Sequence, residues 1–307
     1  MKILITGGLG AVGSPLVALL RNKGHEVWVL DRPHHHGHDG RYYFRADVGY
    51  YRQVEAIFNK QSFDVVYHLA AEFGRNNGED FYETMWQSNA VGTKNIIRLQ
   101  ERDGFKLVHF SSSEVYGDFE GLMTENVTEE HAIKQMNDYA ISKWVNELQI
   151  TNSYATNKTA SVRVRLFNTY GPGEPYSDYR SVVCLFIYRA IVGLPYTVYL
   201  DHHRTFTYID DCVEALSNIC TNFKPGEVYN IAGQAYYDIK ETSDKILAQL
   251  GLDDSKVKYL RKEHHNTLDK RTDAAKAIRD LNLRETLPLD EGLARTIAWQ
   301  KQYYGFK

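Results

Sequence analysis

The chain has 307 residues, 43% hydrophobic and 24% charged, which suits a globular protein with a large core in one or two domains. Its 36 basic and 39 acidic side chains leave a net charge of -3, which gives no electrostatic reason to expect nucleic acid or an anionic membrane as partner. Cys184, Cys212 and Cys220 form no Cys-x-x-Cys pair and cannot all pair within one chain, so a reduced, cytoplasmic setting is expected.

Met1-Lys2 runs straight into the short apolar Ile3-Leu4-Ile5, so neither a signal peptide nor a membrane span is expected. The first two thirds alternate short apolar runs with helical patterns, the mark of βαβ units and a parallel sheet. Strands are predicted at Lys2–Thr6, Glu26–Leu30, Tyr42–Arg45, Val65–Leu69, Leu107–Phe110 and Ser161–Leu166. Helices are predicted near Ala11–Lys23, Tyr51–Lys60, Trp86–Arg102 and Tyr139–Tyr154, with Gly24 and Gly104 placed as C-caps. After Asn168, Tyr170-Gly-Pro-Gly-Glu-Pro175 is a turn-rich break. A helix (Val182–Val192), a strand (Thr197–Leu200), a helix (Ile209–Thr221) and a strand (Glu227–Ala232) that could return to the main sheet come next. The remainder is mostly helical. The expected fold is α/β, a Rossmann-type doubly wound parallel sheet with a smaller, mostly helical C-terminal substrate domain. Residues 1–168 with about 207–233 would form the first, and 169–206 with 234–307 the second.

Thr6-Gly7-Gly8-Leu9-Gly10-Ala11-Val12-Gly13 follows a strand and opens a helix. Glycines there allow a tight turn and let backbone approach a pyrophosphate, while the helix N-terminus supplies free N–H groups. Gly7, Gly10, Ala11, Val12 and Gly13 are therefore candidate cofactor residues. Asp31 ends the second strand, where a carboxylate accepts from the adenosine ribose hydroxyls and repels a 2′-phosphate, favouring NAD over NADP. Arg32 beside it weakens that preference, since a guanidinium could pair with the phosphate. His34-His35-His36-Gly-His38 come from one loop, whereas a closed metal site draws on several elements; they read as a solvated loop flanking the adenosine.

Tyr139 and Lys143, four apart, share a helix face. A phenol needs help to act as a base at neutral pH, and a nearby ammonium together with an oxidised nicotinamide favours the phenolate. Lys143 can also hold the nicotinamide ribose. Ser112, at a strand end, would give a hydroxyl to the substrate oxygen. Such a set deprotonates an alcohol as its hydride leaves for a nicotinamide.

The chain resembles the extended short-chain dehydrogenase/reductases of the nucleotide-sugar epimerase/dehydratase family. The likeness is carried by Thr6–Gly13, Asp31, Ala46-Asp47-Val48, His68-Leu-Ala-Ala71, Asn89-Ala-Val-Gly-Thr93, Ser111–Gly117, Tyr139–Lys143, Arg165-Leu-Phe-Asn-Thr-Tyr-Gly-Pro172 and Arg204-Thr-Phe-Thr-Tyr-Ile-Asp210. The resemblance implies NAD as cofactor and a nucleotide-diphosphate sugar as substrate. It implies that Asp47 and Val48 contact adenine, that Leu69, Ala70 and Ala71 line the cofactor channel with Leu166 nearby, and that Ser112, Tyr139 and Lys143 are catalytic. Asn168 and Arg204 would hold the diphosphate, and Arg180 the nucleotide or a sugar substituent. It also implies a homodimer through Trp86–Arg102 and Tyr139–Tyr154.

Members of this family begin by oxidising a sugar carbon, usually C4, and differ in the fate of the ketone. Epimerisation at C4 is the leading expectation. Glu114 argues for another outcome, because dehydratases and decarboxylases place a glutamate there, within reach of C5. Ser113 stands where some dehydratases use an aspartate. A dehydrogenase releasing the 4-keto sugar is a third outcome, and a dinucleotide-binding sensor without catalysis a remote fourth. Glu72–Asp80 and Lys134-Gln-Met-Asn137 depart from the family pattern near the sugar site.

Overall fold

An apolar run bounded by a glycine turn builds a strand buried on both faces, and the first segment does so. The computed structural model, which describes residues 1–33, 40–261, 263 and 266–306, places strand β1 at Lys2–Thr6. After it come α1 (Gly13–Asn22), β2 (Glu26–Asp31), β3 (Tyr43–Arg45), α2 (Tyr51–Phe58), β4 (Val65–His68), α3 (Arg75–Asp80) and α4 (Tyr82–Trp86). Next are α5 (Gly92–Asp103), β5 (Lys106–Ser112), β6 (Leu122–Met123), α6 (Val127–Glu130), α7 (Asp138–Asn157) and β7 (Ser161–Leu166). The histidines at 34–36 and 38 lie outside the described residues.

One seven-stranded parallel sheet runs in the order Val228–Ile231, β7, β5, β4, β1, β2, β3. The chain adds strands outward from β1 in one direction and from β4 in the other, so a crevice opens beyond the C-terminal ends of these two. Ile3 and Ile5 of β1 enter the apolar cluster on one face, and Leu4 the cluster on the other. Val27 and Val29 against Trp28 and Leu30 repeat the pattern in β2. The strand expected at Glu227–Ala232 does return to this sheet, parallel to β7.

Several departures from the expected elements shape the site. Strand β5 runs past the expected Phe110 to Ser112, so Ser111 and Ser112 lie in the strand and Ser113 opens the turn after it. The helix expected to begin at Trp86 is interrupted by a π-turn at Gln87–Val91 before α5. Gly92, just after it, lies so close to Val48 that a Cβ would sit 2.7 Å from Val48 Cγ2. Short strands of two to four residues, too brief to show alternation, form a second sheet in the order Tyr236–Asp238, His203–Thr205, Asp269–Thr272, β6. It sets Lys270 beside Arg204. Helices Ile239–Leu250, Ala275–Leu281 and Leu289–Tyr304 complete the C-terminal part. Among the described residues no helix is long and apolar enough to cross a membrane.

Beneath the crevice, His68 Nδ1 lies 2.7 Å from Thr6 Oγ1 and Nε2 lies 3.1 Å from Thr93 Oγ1. Full burial, and secondarily the charge of Lys143, push its pKa down to about 3. The folded chain therefore refuses a proton that the unfolded chain accepts below its ordinary value near 6.5. Stability is expected to fall as pH drops from about 6.5, on the order of 3 kcal/mol by pH ~4.5 from this group alone. Urea unfolding at several pH values checks it: the acid loss should be smaller by that amount in His68→Asn.

Candidate active site

The crevice is closed at its base by the turn after β1. Gly7 has φ +71°, and a Cβ there would sit 2.7 Å from Ala70 N, so the turn and the segment after β4 meet backbone to backbone. A Cβ on Gly13 would sit 2.2 Å from Gly7 O, so only glycine lets α1 start tight against the turn. No side chain caps α1; in its first turn Ser14 N–H donates to Gly10 O at 2.9 Å and Pro15 has no N–H to satisfy. Asp31 Oδ2 accepts from Leu9 N at 2.9 Å, and Oδ1 from Arg32 N at 2.8 Å. A cavity of about 390 Å³ is lined by Gly7, Gly10, Asp31, Asp47, Val48 and Leu69–Ala71, among others. Ala11, Val12 and Gly13 shape the turn behind this wall, and Leu166 pairs with Ser112 at the end of β7.

Asn137 accepts from Ala140 N at 2.8 Å and caps α7, which puts Tyr139 in the first turn. Tyr139 and Lys143 are both buried. The Ser112 hydroxyl is within hydrogen-bonding reach of the Tyr139 phenol and accepts from Glu114 N at 3.2 Å. Lys143 Nζ donates to Phe110 O at 2.8 Å and lies 5.8 Å from the Tyr139 ring centre. The structure therefore brings the three expected catalytic groups together. Ser113 is buried at the start of a 3-10 turn. Phe73 packs edge-on against Tyr139, their ring centres 5.8 Å apart.

Glu114 meets a group that sequence reading missed. Its Oε1 accepts from the Lys270 ammonium, and its Oε2 from Asn137 Nδ2 at 3.3 Å. Lys270 is 2% exposed. Around the pair stand Arg204, Arg75 and Glu263, with Arg75 ion-paired to Glu263. Those five charges sum to one positive. Burial alone would raise the Glu114 pKa, but Lys270, Arg204 and Arg75 hold it down at about 2. The Lys270 pKa is lowered, by burial first and by Arg204 and Arg75 with it, against the opposing pull of Glu114. Lys270 lies 156 residues from Glu114, and no local pattern could announce it.

The expected diphosphate groups are disposed unequally. Arg204 donates to the carbonyls of His203, Leu268 and Thr267 at 2.8, 2.6 and 2.8 Å. Asn168, at φ +35°, donates from Nδ2 to Thr205 O at 3.1 Å. Arg180 lines the cavity, with Nε buried and unbonded among the described residues.

The sequence model of the NAD dependent epimerase/dehydratase family matches residues 3–232. The chain belongs to this family. UDP-glucuronic acid decarboxylase 1 of Xenopus tropicalis is 31% identical to it over 312 residues, covering 96% of this chain and 71% of that protein. The dTDP-glucose 4,6-dehydratase of Neisseria meningitidis serogroup B is 26% identical, covering 97% of this chain and 92% of that one. The structure of UDP-glucuronic acid 4-epimerase from Bacillus cereus, in complex with UDP-glucuronic acid and NAD, matches at a TM-score of 0.87 and 25% identity, covering 99% of this chain and 100% of that one.

This epimerase/dehydratase-family chain is an NAD-dependent enzyme acting on nucleotide sugars. Its crevice fits the cofactor: Gly7 and Gly13 of the turn leave no room for a Cβ, and Asp31 lines the same cavity as Gly7 and Gly10. Burial raises the Tyr139 pKa, the Ser112 bond lowers it, and Glu114 raises it further. Burial lowers Lys143 to about 8, against an opposing pull from Glu147. A positive nicotinamide ring is thus needed to bring the phenol into range as a base.

Lys143 keeps its charge below about pH 8 and loses it above. Catalytic efficiency is therefore expected to decline as pH rises through about 8. Lys143→Met should lower kcat by roughly 10²–10⁴-fold, measured by steady-state kinetics against pH.

Proposed function

We propose that this enzyme oxidises C4 of a nucleotide-diphosphate uronic acid and then expels the C5 carboxylate as carbon dioxide. The observation that carries this reading is the pairing of partly buried Glu114 with buried Lys270 beside Tyr139 and Ser112, in a cluster with one excess positive charge. That excess suits a sugar bearing a carboxylate, and the Xenopus relative is named for UDP-glucuronic acid.

Bound NAD would take the C4 hydride and return it at the end of the cycle. Tyr139 takes the C4 hydroxyl proton while Ser112 donates a hydrogen bond to that oxygen. Once C4 is a ketone, the C5 carboxylate is β to a carbonyl. The electrons of its bond to C5 pass toward the C4 oxygen as carbon dioxide leaves, and no base is required. Tyr139 and Ser112 hold the enolate oxygen. Lys270, its pKa lowered by burial, then supplies the proton to C5. Tyr139 returns its proton to the C4 oxygen. Arg180, which lines the cavity and whose buried Nε has no partner among the described residues, is the better-placed diphosphate ligand, since Arg204 is occupied by three carbonyls.

Two other outcomes share the first step. Return of hydride to the opposite face gives 4-epimerisation, the leading expectation from sequence, supported by the likeness to the Bacillus cereus 4-epimerase. Removal of the C5 proton by Glu114 and loss of water gives 4,6-dehydration, supported by the Neisseria relative. Epimerisation asks for no charged pair at C5, and a carboxylate with a pKa of about 2 is a weak base for the C5 proton. Both points favour decarboxylation.

UDP-glucuronic acid incubated with the enzyme in deuterated water is expected to lose carbon dioxide and gain one solvent deuterium at C5, read by mass and proton spectra. A stereoisomer of unchanged mass would replace the reading with epimerisation, and loss of water from a UDP- or dTDP-hexose with dehydration. Lys270→Met should lower turnover about 100-fold or more and let reduced cofactor accumulate, seen by absorbance.

We also infer a homodimer through α5 and α7. Ile141 and Leu148 of α7, seven residues apart on one face, are 39 and 50% exposed, an apolar face that a second copy would cover. Sedimentation at micromolar concentration should give twice the chain mass; a single-chain mass would remove the inference.

A further inference from the structure

NADP differs from NAD by a phosphate on the adenosine ribose, the group that Asp31 faces. An arginine next to such a position is the usual partner for that phosphate, because its fork of donors suits phosphate oxygens. Arg32 is such an arginine. Among the described residues lining the cavity, Arg32 and Arg180 are the cations, and Arg32 is the one adjoining Asp31. Its backbone is fixed: its N–H donates to Asp31 Oδ1, and its carbonyl accepts from Arg45 Nε at 3.1 Å. Only the guanidinium has a choice of partner. It turns to Glu72, with Nη2 2.7 Å from Oε1.

Glu72 comes after β4, on the other wall of the cavity, and is held from several sides. Its N–H donates to Asn89 Oδ1 at 2.8 Å, and its carbonyl accepts from Asn89 Nδ2 at 3.0 Å. Its Oε2 accepts from Asn77 Nδ2 at 3.3 Å. The Glu72 side chain is 19% exposed and that of Arg32 52%. The fixed partner is therefore the carboxylate and the adaptable one the guanidinium. An ion pair this exposed contributes little to stability, so its consequence is where it puts Arg32.

We propose that Glu72 sets the cofactor preference of this enzyme: by holding Arg32 across the cavity it withholds the guanidinium that would take up a 2′-phosphate, and so excludes NADP. The Asp31 carboxylate excludes the phosphate directly, and Glu72 does so through Arg32. Neither depends on what happens at C5 of the sugar.

The test is calorimetric titration of NAD and NADP into the full chain, its Glu72→Gln and Arg32→Ala variants, and the double variant. Glu72→Gln removes the charge that holds the guanidinium, leaving a neutral acceptor that a 2′-phosphate outcompetes, so its affinity for NADP relative to NAD should rise about tenfold or more, the gain of one charge-assisted phosphate contact. Arg32→Ala should keep the wild-type preference, and the double variant should show no gain. The proposal is overturned if Glu72→Gln leaves the ratio unchanged or loses both cofactors alike. It is equally overturned if the double variant gains as much as Glu72→Gln, because removal of a negative charge would then be the cause.

Discussion

The grip between the end of β5 and helix α7 is the contact on which the rest of the site depends. Lys143 reaches from α7 to Phe110 O, and the next residue, Ser111, donates to Glu147 Oε1 at 2.5 Å. Glu147 is one turn beyond Lys143 and accepts from Arg165 Nε and Nη2 at 3.0 and 2.8 Å. Arg165 comes from β7 and also donates to Tyr116 Oη at 2.9 Å, which donates to Asn230 Oδ1 of the returning strand at 2.7 Å. Such a buried ion pair contributes little net stability once its desolvation is counted, yet removing one partner leaves an unpaired buried charge. Its value lies in register. A slip of one residue in β5 would turn Ser112 to the other face and present Ser111 to Tyr139. The network permits one alignment of strand and helix, and that alignment puts Ser112, Tyr139 and Lys143 together.

Charge around Tyr139 depends on the same placement. Glu114 sits two residues past Ser112, and its charge opposes formation of a phenolate. An isolated glutamate there would hinder proton removal by Tyr139. Lys270 resolves the conflict by pairing with Glu114 directly. The same ammonium, desolvated and crowded by Arg204 and Arg75, becomes a readier proton donor. In the proposed reaction one residue would thus protect the oxidation step while serving the carbon next to it.

The parts of the site legible in the sequence are those made by neighbours in the chain. The glycine turn, Asp31, the Tyr139–Lys143 spacing and the alternation of strands are local patterns with periods of two, three or four residues. Lys270 was illegible because its partner is in another domain-sized segment, joined to it by a strand of four residues. Arg204 was legible as an arginine ahead of a strand, but its three backbone acceptors lie at 203, 267 and 268, two of them far away in sequence. The π-turn was illegible as well. Gln87–Val91 reads as ordinary helix, and the close approach of Gly92 to Val48 beside the wider turn is a contact between distant segments with no local pattern.

That π-turn has a consequence beyond its own geometry. π-turns are rare and gather at functional sites, because the extra residue re-aims a side chain. Here the side chain is Asn89. It holds both backbone groups of Glu72 and donates to Ser142 Oγ at 3.0 Å, and Ser142 donates to Tyr139 O at 2.8 Å. The wall of the cofactor cavity and the helix carrying the catalytic tyrosine therefore share one asparagine. A helix continued without the wider turn would point position 89 elsewhere and uncouple the two. Coupling them suits hydride transfer from a sugar alcohol, which requires cofactor and base to be aligned on the same carbon at once.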